Sequence, residues 1–406
     1  MMMASAGNEW RLHWRPLLAS SVGVATGFSM LQFTTSLFIQ PWQAEFGWSR
    51  GQIAAAHNGM ILTALLSPFA GALLDRVGVR RPLLIAICIT AAAYLAMTGL
   101  TGSLTQFYAT YLLLQVAGIF TTGLVFTRVV AARFIRSRGL ALACTRIGIS
   151  LLGMVLPALL HGLIASEGWR AGFLLLAAIM LLIGLPVCFF GIADTAPAVE
   201  EEHPAQRAPS FLALVAGNRR VVILCLAAAC AYAPLGALLS QFQPLLTERG
   251  IAAGDAASLI GLLAGSVLVG TLLSGVLVDR IWAPMIACLF SIGPLIGCLI
   301  LMQPVVSLPM AATAAVLIGM AQGAEIDIVA YLSARYFGMR HYSTIYGSTI
   351  MAMALMSVVG QVGIGYLYDR TGGYNAALLP IMAVLLASAV CYLSLGRYPK
   401  PDPARL

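Results

Sequence analysis

Long, uninterrupted apolar runs constrain the fold of this chain more than any other feature of its sequence. Residues 83–100, for example, contain no charged side chain. An α-helix needs about 20 apolar residues to cross the ~30 Å hydrocarbon core of a membrane, and runs of this kind are long enough. The runs between charged residues, glycines and prolines predict twelve membrane-spanning helices. They cover residues 16–41, 53–74, 82–101, 105–132, 139–165, 170–192, 221–246, 256–278, 284–303, 307–334, 343–368 and 374–396.

The composition excludes two other classes of protein. Apolar residues make up 60% of the 406 residues and charged residues 9%, whereas about 25% of an ordinary soluble domain is charged. A soluble enzyme is therefore excluded. A bacterial outer-membrane barrel is excluded as well, because its strands alternate apolar and polar residues over short segments. The predicted fold class is an all-α integral membrane protein.

The positions of the basic residues predict how the spans are oriented. With both termini on one side of the membrane, that side carries 17 Lys and Arg residues and the opposite side carries 4. Cytoplasmic loops are enriched in basic residues, so both termini are expected in the cytoplasm. The short, arginine-rich loops favour a bacterial inner membrane. Because the net charge of +8 is spread over these loops, the expected surroundings are lipid and no nucleic-acid partner is predicted.

Four short motifs of the first half of the chain recur in the second half at an offset of 202 to 205 residues. This internal duplication predicts two six-helix halves related by a parallel pseudo-two-fold repeat, with the substrate path between them near the middle of the membrane. The predicted division is a first half at 1–193, a cytoplasmic linker at 194–220, a second half at 221–396 and a cytoplasmic tail at 397–406. The recurring pairs are Gly71 to Arg76 with Gly275 to Arg280, Gln40 to Gly47 with Gln243 to Gly250, Ala132 to Phe134 with Ala334 to Tyr336, and Gly168-Trp169 with Gly373-Tyr374.

The loop after the second span resembles the signature loop of the major facilitator superfamily. The resemblance extends to the repeat of six spans and so covers the whole chain. It implies a monomeric carrier whose loop acid pairs with basic groups on the cytoplasmic side, because such ion pairs can lock one conformation and break without repacking a core. The alternative is that the arginines only set the topology. The loop reads Gly71-x3-Asp75-Arg76-x-Gly78-x-Arg80-Arg81, and the implied gate residues are Asp75, Arg76, Arg133, Asp279 and Arg335.

Three further stretches resemble the monocarboxylate and oxalate/formate carriers of that superfamily. They are Phe134 to Ala143, Gly168 to Phe173 and Gly365 to Tyr374. This resemblance implies a carboxylate as the substrate. The animal monocarboxylate carriers place a substrate-binding arginine in span eight, whereas residues 256–278 contain no charged side chain here. Any anion site in this chain must therefore use a different arginine.

Four charged residues lie well inside the predicted spans: Arg128, Arg146, Glu325 and Asp327. Each costs roughly 2.5 to 3.5 kcal/mol at the centre of a membrane helix, so each needs a watery cavity or a partner. Both arginines are predicted to bind the substrate, because they lie at matching depths and a guanidinium binds a carboxylate through two hydrogen bonds. Arg146 is preferred, since small polar residues surround it. The alternative is that one arginine pairs with an acid for structure.

Glu325 and Asp327 are the predicted proton-coupling residues. They are two positions apart, about 200° around a helix, so they cannot face the same cavity. One is expected to face the transport pathway and the other a neighbouring helix. A carboxylate in a site of low dielectric can hold a proton, as a proton-coupled carrier requires. A salt bridge to Arg128 is the alternative.

Uncharged polar residues and prolines complete the prediction. Tyr331 follows Asp327 by four residues and therefore shares its helix face. No catalytic residue, metal site or cofactor is predicted, because the spans contain no nucleophile-and-base motif and the cysteines form no CxxC pair. The predicted polar substrate contacts are Tyr331, Asn58, Gln115 and Gln361, with Gln32, His57 and Gln322 as weaker candidates. The prolines expected to kink their helices are Pro68, Pro157, Pro234 and Pro294.

These observations predict a secondary-active transporter of a small organic anion, a monocarboxylate or a related carboxylate, taken up with protons by alternating access. Two alternatives stay open: a proton-driven exporter of amphipathic compounds and an exchanger of one anion for another. A membrane enzyme or receptor is disfavoured, because the chain contains neither a catalytic motif nor a soluble domain longer than the central linker. It also lacks a glycine-rich, lysine-containing loop for ATP, so transport must draw on an ion or solute gradient.

Overall fold

The computed structural model describes residues 6–193 and 217–399. Twelve helical spans long and apolar enough to cross a membrane lie in these two ranges, which confirms the predicted all-α fold. We label them α1 to α12 in chain order. Their bounds are Asn8–Phe46, Gly51–Val77, Arg80–Thr98, Leu104–Arg133, Arg138–Glu167, Trp169–Gly191, Arg219–Glu248, Gly254–Arg280, Ala283–Leu301, Leu308–Phe337, Tyr342–Thr371 and Asn375–Ser394.

Apolar side chains are exposed along many of these spans. Leu182, Phe190 and Met154, for example, are between 72% and 84% exposed. Such side chains are stable against lipid tails, which are as apolar as leucine. The backbone has no water to bond in that environment, so its N–H and C=O groups need partners within the protein, and the helices supply most of them.

The chain divides into two compact units. The first comprises the described residues of Met1–Arg136, Cys144–Ala205 and Met339–Gly347. The second comprises the described residues of Ser137–Ala143, Gln206–Gly338 and Ser348–Leu406. The first turns of α5 and of α11 therefore belong, by their contacts, to a different unit from the rest of their own helix.

Turns interrupt three spans of the first unit, and a fourth span, α6, contains a π-helical segment at Met180–Gly184. In α1 the helix stops at Ala25 and resumes at Ser29. In α2 a 3-10 turn, Ala56–Asn58, separates two α-helical segments, and in α4 the turn Ile119–Thr121 does the same. The interruptions in α1 and α4 meet, because the Phe28 backbone N–H donates to Thr121 Oγ1 at 3.0 Å.

The interruptions do not coincide with the prolines that were expected to kink their helices. Pro68, Pro157, Pro234 and Pro294 all lie inside continuous α-helices. Within the first unit the local breaks instead lie beside glycines, which carry no Cβ and allow close approach of a second helix.

In the second unit, α8 and α10 pack through glycines. A Cβ at Gly270 would collide with the backbone of Met320, and Cβ atoms at Gly319 and Gly323 would collide with backbone carbonyls of α8. Small residues let two membrane helices approach until their backbones touch. The long helix α10 is therefore held firmly against α8, which fixes the positions of its two acids.

The ends of the spans repeat one contact in both units. Glu45 at the end of α1 accepts hydrogen bonds from Trp169 Nε1 at 2.6 Å and from Arg170 at the start of α6. Glu248 at the end of α7 accepts from the Tyr374 backbone N–H at 3.3 Å, just before α12. These acids and their partners occupy corresponding positions of the sequence repeat, although Trp169 donates through its side chain and Tyr374 through its backbone.

Candidate functional site

A buried cluster around Asp75 connects three helices of the first unit. Asp75, near the end of α2, accepts hydrogen bonds from the backbone N–H groups of Ser343 and Thr344 at 3.1 and 2.9 Å. The Thr344 hydroxyl donates to the same carboxylate at 2.7 Å. Arg128 of α4 forms an ion pair with Asp75 and donates to Ser343 Oγ at 2.8 Å. Both charged side chains are nearly inaccessible, at 4% for Arg128 and 6% for Asp75.

The geometry explains why an acid occupies position 75. The first N–H groups of a helix have no partner within the helix, and the helix dipole favours a negative charge there. Asp75 therefore caps α11, which begins at Tyr342. Gly71, one turn earlier in α2, has its Cα directly against the Ser343 backbone, where a Cβ would collide. The glycine and the acid of the signature loop thus both contact the start of α11.

Asp279 forms the corresponding contact in the second unit. Its carboxylate accepts from the backbone N–H of Gly139 at 2.8 Å and from that of Leu140 at 3.0 Å. These residues form the first turn of α5. Gly275 lies against the Gly139 backbone, as Gly71 lies against Ser343. Each half of the sequence repeat therefore supplies a glycine and an aspartate that hold the start of one helix.

The basic partner of Asp75 is Arg128, whereas the sequence pointed to Arg133. The two arginines are five residues apart in α4, which turns Arg133 about 140° around the helix and moves it ~7.5 Å along. Arg133 donates to the carbonyls of Val129 at 3.0 Å and Ala193 at 3.4 Å. The gate role of Arg133 stays a prediction.

The other two predicted gate residues lie on the surface. Arg76 is exposed at the end of α2. Arg335 is exposed at the end of α10, where its guanidinium stacks over the Tyr398 ring with its central carbon 5.0 Å from the ring centroid. The Tyr398 hydroxyl oxygen in turn accepts from the Ala283 backbone N–H at 2.9 Å. Arg335 therefore contacts the segment that follows α12.

The two acids of α10 have different surroundings. Glu325 is buried and accepts a hydrogen bond from the Tyr392 hydroxyl of α12, within the second unit. Asp327 is also buried, and Tyr331 follows it on the same helix face. Glu325 thus faces a neighbouring helix, as one of the two acids was expected to do. Asp327, two positions further along α10, points away from that neighbouring helix.

Arg146 lies in α5, where that helix contacts α1. The Gly148 backbone N–H donates to Ser21 Oγ at 3.1 Å, and a Cβ at Gly148 would collide with the Ser21 backbone. Arg146 is two positions earlier, about 200° around the helix, so its side chain leaves α5 on the side opposite to α1. The side chain is half-buried.

A polar cavity of about 240 Å³ lies among the interrupted helices of the first unit. In the helix break of α2 the Ala56 carbonyl accepts from the Gly59 backbone N–H, and Gln115 Nε2 also donates to it at 3.0 Å. The Tyr111 hydroxyl lies 3.1 Å from His57 Nε2 and 3.3 Å from Thr35 Oγ1. The residues that line the cavity are Phe28, Leu31, Gln32, Thr35, His57, Met60, Tyr111 and Gln115.

The structure brings only part of the predicted polar set to this cavity. Gln115 lines it, as do the weaker candidates Gln32 and His57. Asn58 is exposed at the turn in α2, and Gln361 is exposed in α11 with its Nε2 bonded to Ser357 Oγ at 3.1 Å. Thr35 and Tyr111 were missed. Their four-residue spacing from Leu31 and Gln115 places each pair on one helix face, which is the signal that could have found them.

No group of three or more His, Cys, Asp or Glu side chains that could hold a metal occurs within residues 6–193 and 217–399. All eight cysteines of the sequence lie in these ranges, and none of them forms a disulfide bond.

Comparison with known proteins adds a family and a fold. The family model described as Major Facilitator Superfamily matches residues 22–361. Monocarboxylate transporter 13 of Rattus norvegicus is 25% identical over 398 residues, 95% of this chain and 89% of its own. The uncharacterized transporter YycB of Bacillus subtilis is 24% identical over 347 residues, 82% and 81% of the two chains. A crystal structure of the E. coli fucose:proton symporter is 15% identical and superposes with a TM-score of 0.77 over 94% of this chain and 98% of its own, which shows the same fold.

Proposed function

Because the chain belongs to the major facilitator superfamily, and is therefore a membrane transporter and not an enzyme, we propose that it carries a small organic anion, a monocarboxylate or related carboxylate, together with a proton. The half-buried guanidinium of Arg146 inside an apolar span carries this proposal. The similarity to a monocarboxylate transporter over 95% of the chain supports it. Both termini are proposed to lie in the cytoplasm, in a bacterial inner membrane.

Arg146 is the proposed ligand of the substrate carboxylate. An arginine inside a membrane span is costly, and such residues commonly line substrate pathways. Its planar group makes two parallel hydrogen bonds to a carboxylate and keeps its charge when desolvated. The charge of Arg128 is matched by Asp75 in a buried ion pair, so we assign Arg128 to the gate instead.

Asp327 is the proposed proton carrier. Glu325 is bonded to Tyr392 of the neighbouring helix α12, and a residue two positions along the helix points away from that contact. Tyr331, one turn after Asp327, is proposed to line the same pathway. Protonation of one carboxylate during each cycle would couple substrate movement to the proton gradient.

The helix starts held by Asp75 and Asp279 are the proposed gates. Alternating access needs contacts that form in one state and break in another. Backbone N–H groups bonded to a carboxylate meet this requirement, because water can replace the carboxylate when the contact opens. Arg76, Arg133 and Arg335 are proposed to support these gates from the same side of the membrane.

Uptake into liposomes that contain the purified protein tests this function. Labelled mono-, di- and aromatic carboxylates are offered with and without an inward proton gradient. We expect uptake that rises with the gradient. Arg146→Gln can still donate one hydrogen bond to the carboxylate but loses the second, charge-assisted one, which contributes about 1.5–3 kcal/mol, so KM should rise about 10- to 100-fold. The exposed Arg219→Gln is the matched control and should behave like the wild type.

Three other results would contradict parts of the proposal. Uptake only into liposomes preloaded with another anion would indicate exchange. No uptake of any carboxylate, combined with extrusion of lipophilic cations, would indicate an exporter of amphipathic compounds. Equal activity of Arg146→Gln and Arg219→Gln would remove Arg146 from the anion site.

A further inference from the structure

An apolar groove opens on the surface of the second unit between α8 and α9. Both helices pack along α10 but make few contacts with each other, so α10 forms the floor of the groove. Its volume is about 190 Å³, and all nine residues that line it are apolar. The groove is separate from the residues that are assigned to the gates, the substrate and the proton.

The walls of the groove expose side chains that are more stable in contact with an apolar partner than with water. Leu273 of α8 is 40% exposed, and Leu289 and Ile296 of α9 are 57% and 43% exposed. An apolar cavity of this kind stays free of water and takes up apolar groups. Because both walls are membrane-spanning helices, the apolar group at hand is the acyl chain of a lipid.

Gly293 of α9 provides much of the space. A Cβ at this position would lie 3.6 Å from the Leu317 carbonyl oxygen and 3.9 Å from Leu317 Cδ2, which is ordinary van der Waals contact. Gly270 differs, because a Cβ there would collide with the backbone of Met320. The packing of α9 on α10 therefore does not require a glycine at position 293, and a larger side chain would extend into the groove.

The groove covers the depth of one leaflet of the membrane. Measured from the end of α8 at Arg280 and from the start of α9 at Ala283, its lining extends from Leu277 to Ile296. At ~1.5 Å per residue these positions lie about 5 Å and about 20 Å along the helix axes. Half of the ~30 Å hydrocarbon core is ~15 Å thick, so the acyl chain of a single lipid fits this length.

A positive charge lies at the end of the groove. Arg280 follows Leu273 and Leu277 by seven and three residues, so the three side chains share one face of α8. Arg280 is exposed, and its guanidinium forms no hydrogen bond or ion pair with the residues that the structure describes. A guanidinium binds a phosphate group through two parallel hydrogen bonds. The groove and the arginine together match the tail and the head group of a phospholipid.

We propose that this groove binds one phospholipid with an anionic head group, with an acyl chain between α8 and α9 and the phosphate at Arg280. The lipid supplies the packing that the two helices do not give each other. A zwitterionic head group carries the same phosphate and also a cation, which Arg280 repels. One arginine at the membrane surface favours the anionic lipid about fivefold. The site does not depend on which solute the protein carries.

Native mass spectrometry of the purified full-length protein tests this site, because it counts bound lipids. Phosphatidylglycerol and phosphatidylcholine with the same acyl chains are titrated separately. We expect one phosphatidylglycerol to bind about fivefold more tightly than phosphatidylcholine. Gly293→Leu fills the groove and should weaken the binding of both lipids. Gly265→Leu of α8 is the matched control, because a Cβ there would meet no described atom within 4 Å, and it should bind like the wild type.

A second pair of variants separates the head group from the chain. Arg280→Gln should bind the two lipids equally, whereas the exposed Arg219→Gln should keep the preference for phosphatidylglycerol. A wild type without that preference, or a preference unchanged in Arg280→Gln, would overturn the phosphate contact. Equal lipid binding by Gly293→Leu and Gly265→Leu would overturn the groove as the site. Displacement of the lipid by sn-glycerol 3-phosphate, which has no acyl chain, would show a site for soluble phosphate esters instead.

Discussion

Inside α4, Arg128 carries a positive charge that hydrocarbon would not tolerate alone, and Asp75 supplies the opposite charge from α2. The sequence identified both residues but did not pair them. It gave Arg128 to the substrate and placed Arg133 beside Asp75. The choice depends on rotation around α4, because the two arginines point to different faces. The predicted bounds of a span show how deep a charged residue lies in the membrane. They do not show which neighbouring helix its side chain faces, because an error of a few residues in a bound turns the predicted face of the helix.

The ion pair predicts a strong asymmetry between single and double substitution. Arg128→Met leaves Asp75 buried with its backbone donors but without its counter-charge, and breaking a buried pair in this way costs about 3–5 kcal/mol. We expect a large fall in the thermal unfolding temperature of the purified protein. The double variant Asp75→Asn/Arg128→Met removes both charges and should recover most of the loss.

A double-mutant cycle measures this coupling. Arg76→Met is the matched control, because Arg76 is exposed next to Asp75, and its unfolding temperature should stay close to that of the wild type. Additive losses in the double variant would show that the two charges are not coupled.

At the scale of helices, glycines explain more of the arrangement than prolines do. The sequence predicted the signature loop and its repeat, including Gly71 and Gly275. It did not predict that each glycine makes room for the start of another helix. Glycines also flank the interruptions that form the cavity: Gly59 follows the turn in α2, and Gly118 and Gly123 bracket the turn in α4. The glycines of the sequence contain this signal, and the kinks expected at the prolines stay a prediction.

The close contact at Gly71 predicts that a glycine-to-alanine substitution lowers stability at this position but not at a glycine with open space around it. Gly71→Ala would press its Cβ into the Ser343 backbone, and overpacking of this kind typically costs about 1–3 kcal/mol. A Cβ at Gly261 of α8 would meet no described atom within 4 Å. Gly261→Ala should therefore be neutral or stabilising by up to about 1 kcal/mol.

Thermal unfolding and liposome uptake of the two variants check this prediction. We expect Gly71→Ala to lower the unfolding temperature and to impair transport, because the displaced helix start also loses its bonds to Asp75. Equal behaviour of the two alanine variants would mean that α11 can move away from α2 without cost.

At the scale of the whole molecule, the duplication could be predicted because its motifs recur in the same order in both halves of the sequence. The twelve spans follow from run length, and the repeated motifs recur as repeated contacts: Glu45 with Trp169 in the first unit, and Glu248 with Tyr374 in the second. The cavity could not be predicted in the same way. It depends on side chains from three helices that meet where each backbone is interrupted. The positions of the spans in the sequence do not show which side chains meet in space.

Coupling between substrate and proton is a property of the whole transport cycle. We expect a substitution of Asp327 to abolish this coupling and to leave substrate movement itself intact. Asp327→Asn mimics a permanently protonated acid, so the carrier could still cross the membrane loaded with substrate but could not release a proton. Exchange of labelled for unlabelled substrate across liposomes at equal pH should continue, while accumulation driven by an inward proton gradient should be lost. Glu325→Gln is the matched control, since its carboxamide oxygen can still accept from Tyr392, and it should retain accumulation. The opposite pattern, accumulation lost in Glu325→Gln and kept in Asp327→Asn, would transfer the proton site to the acid that contacts α12.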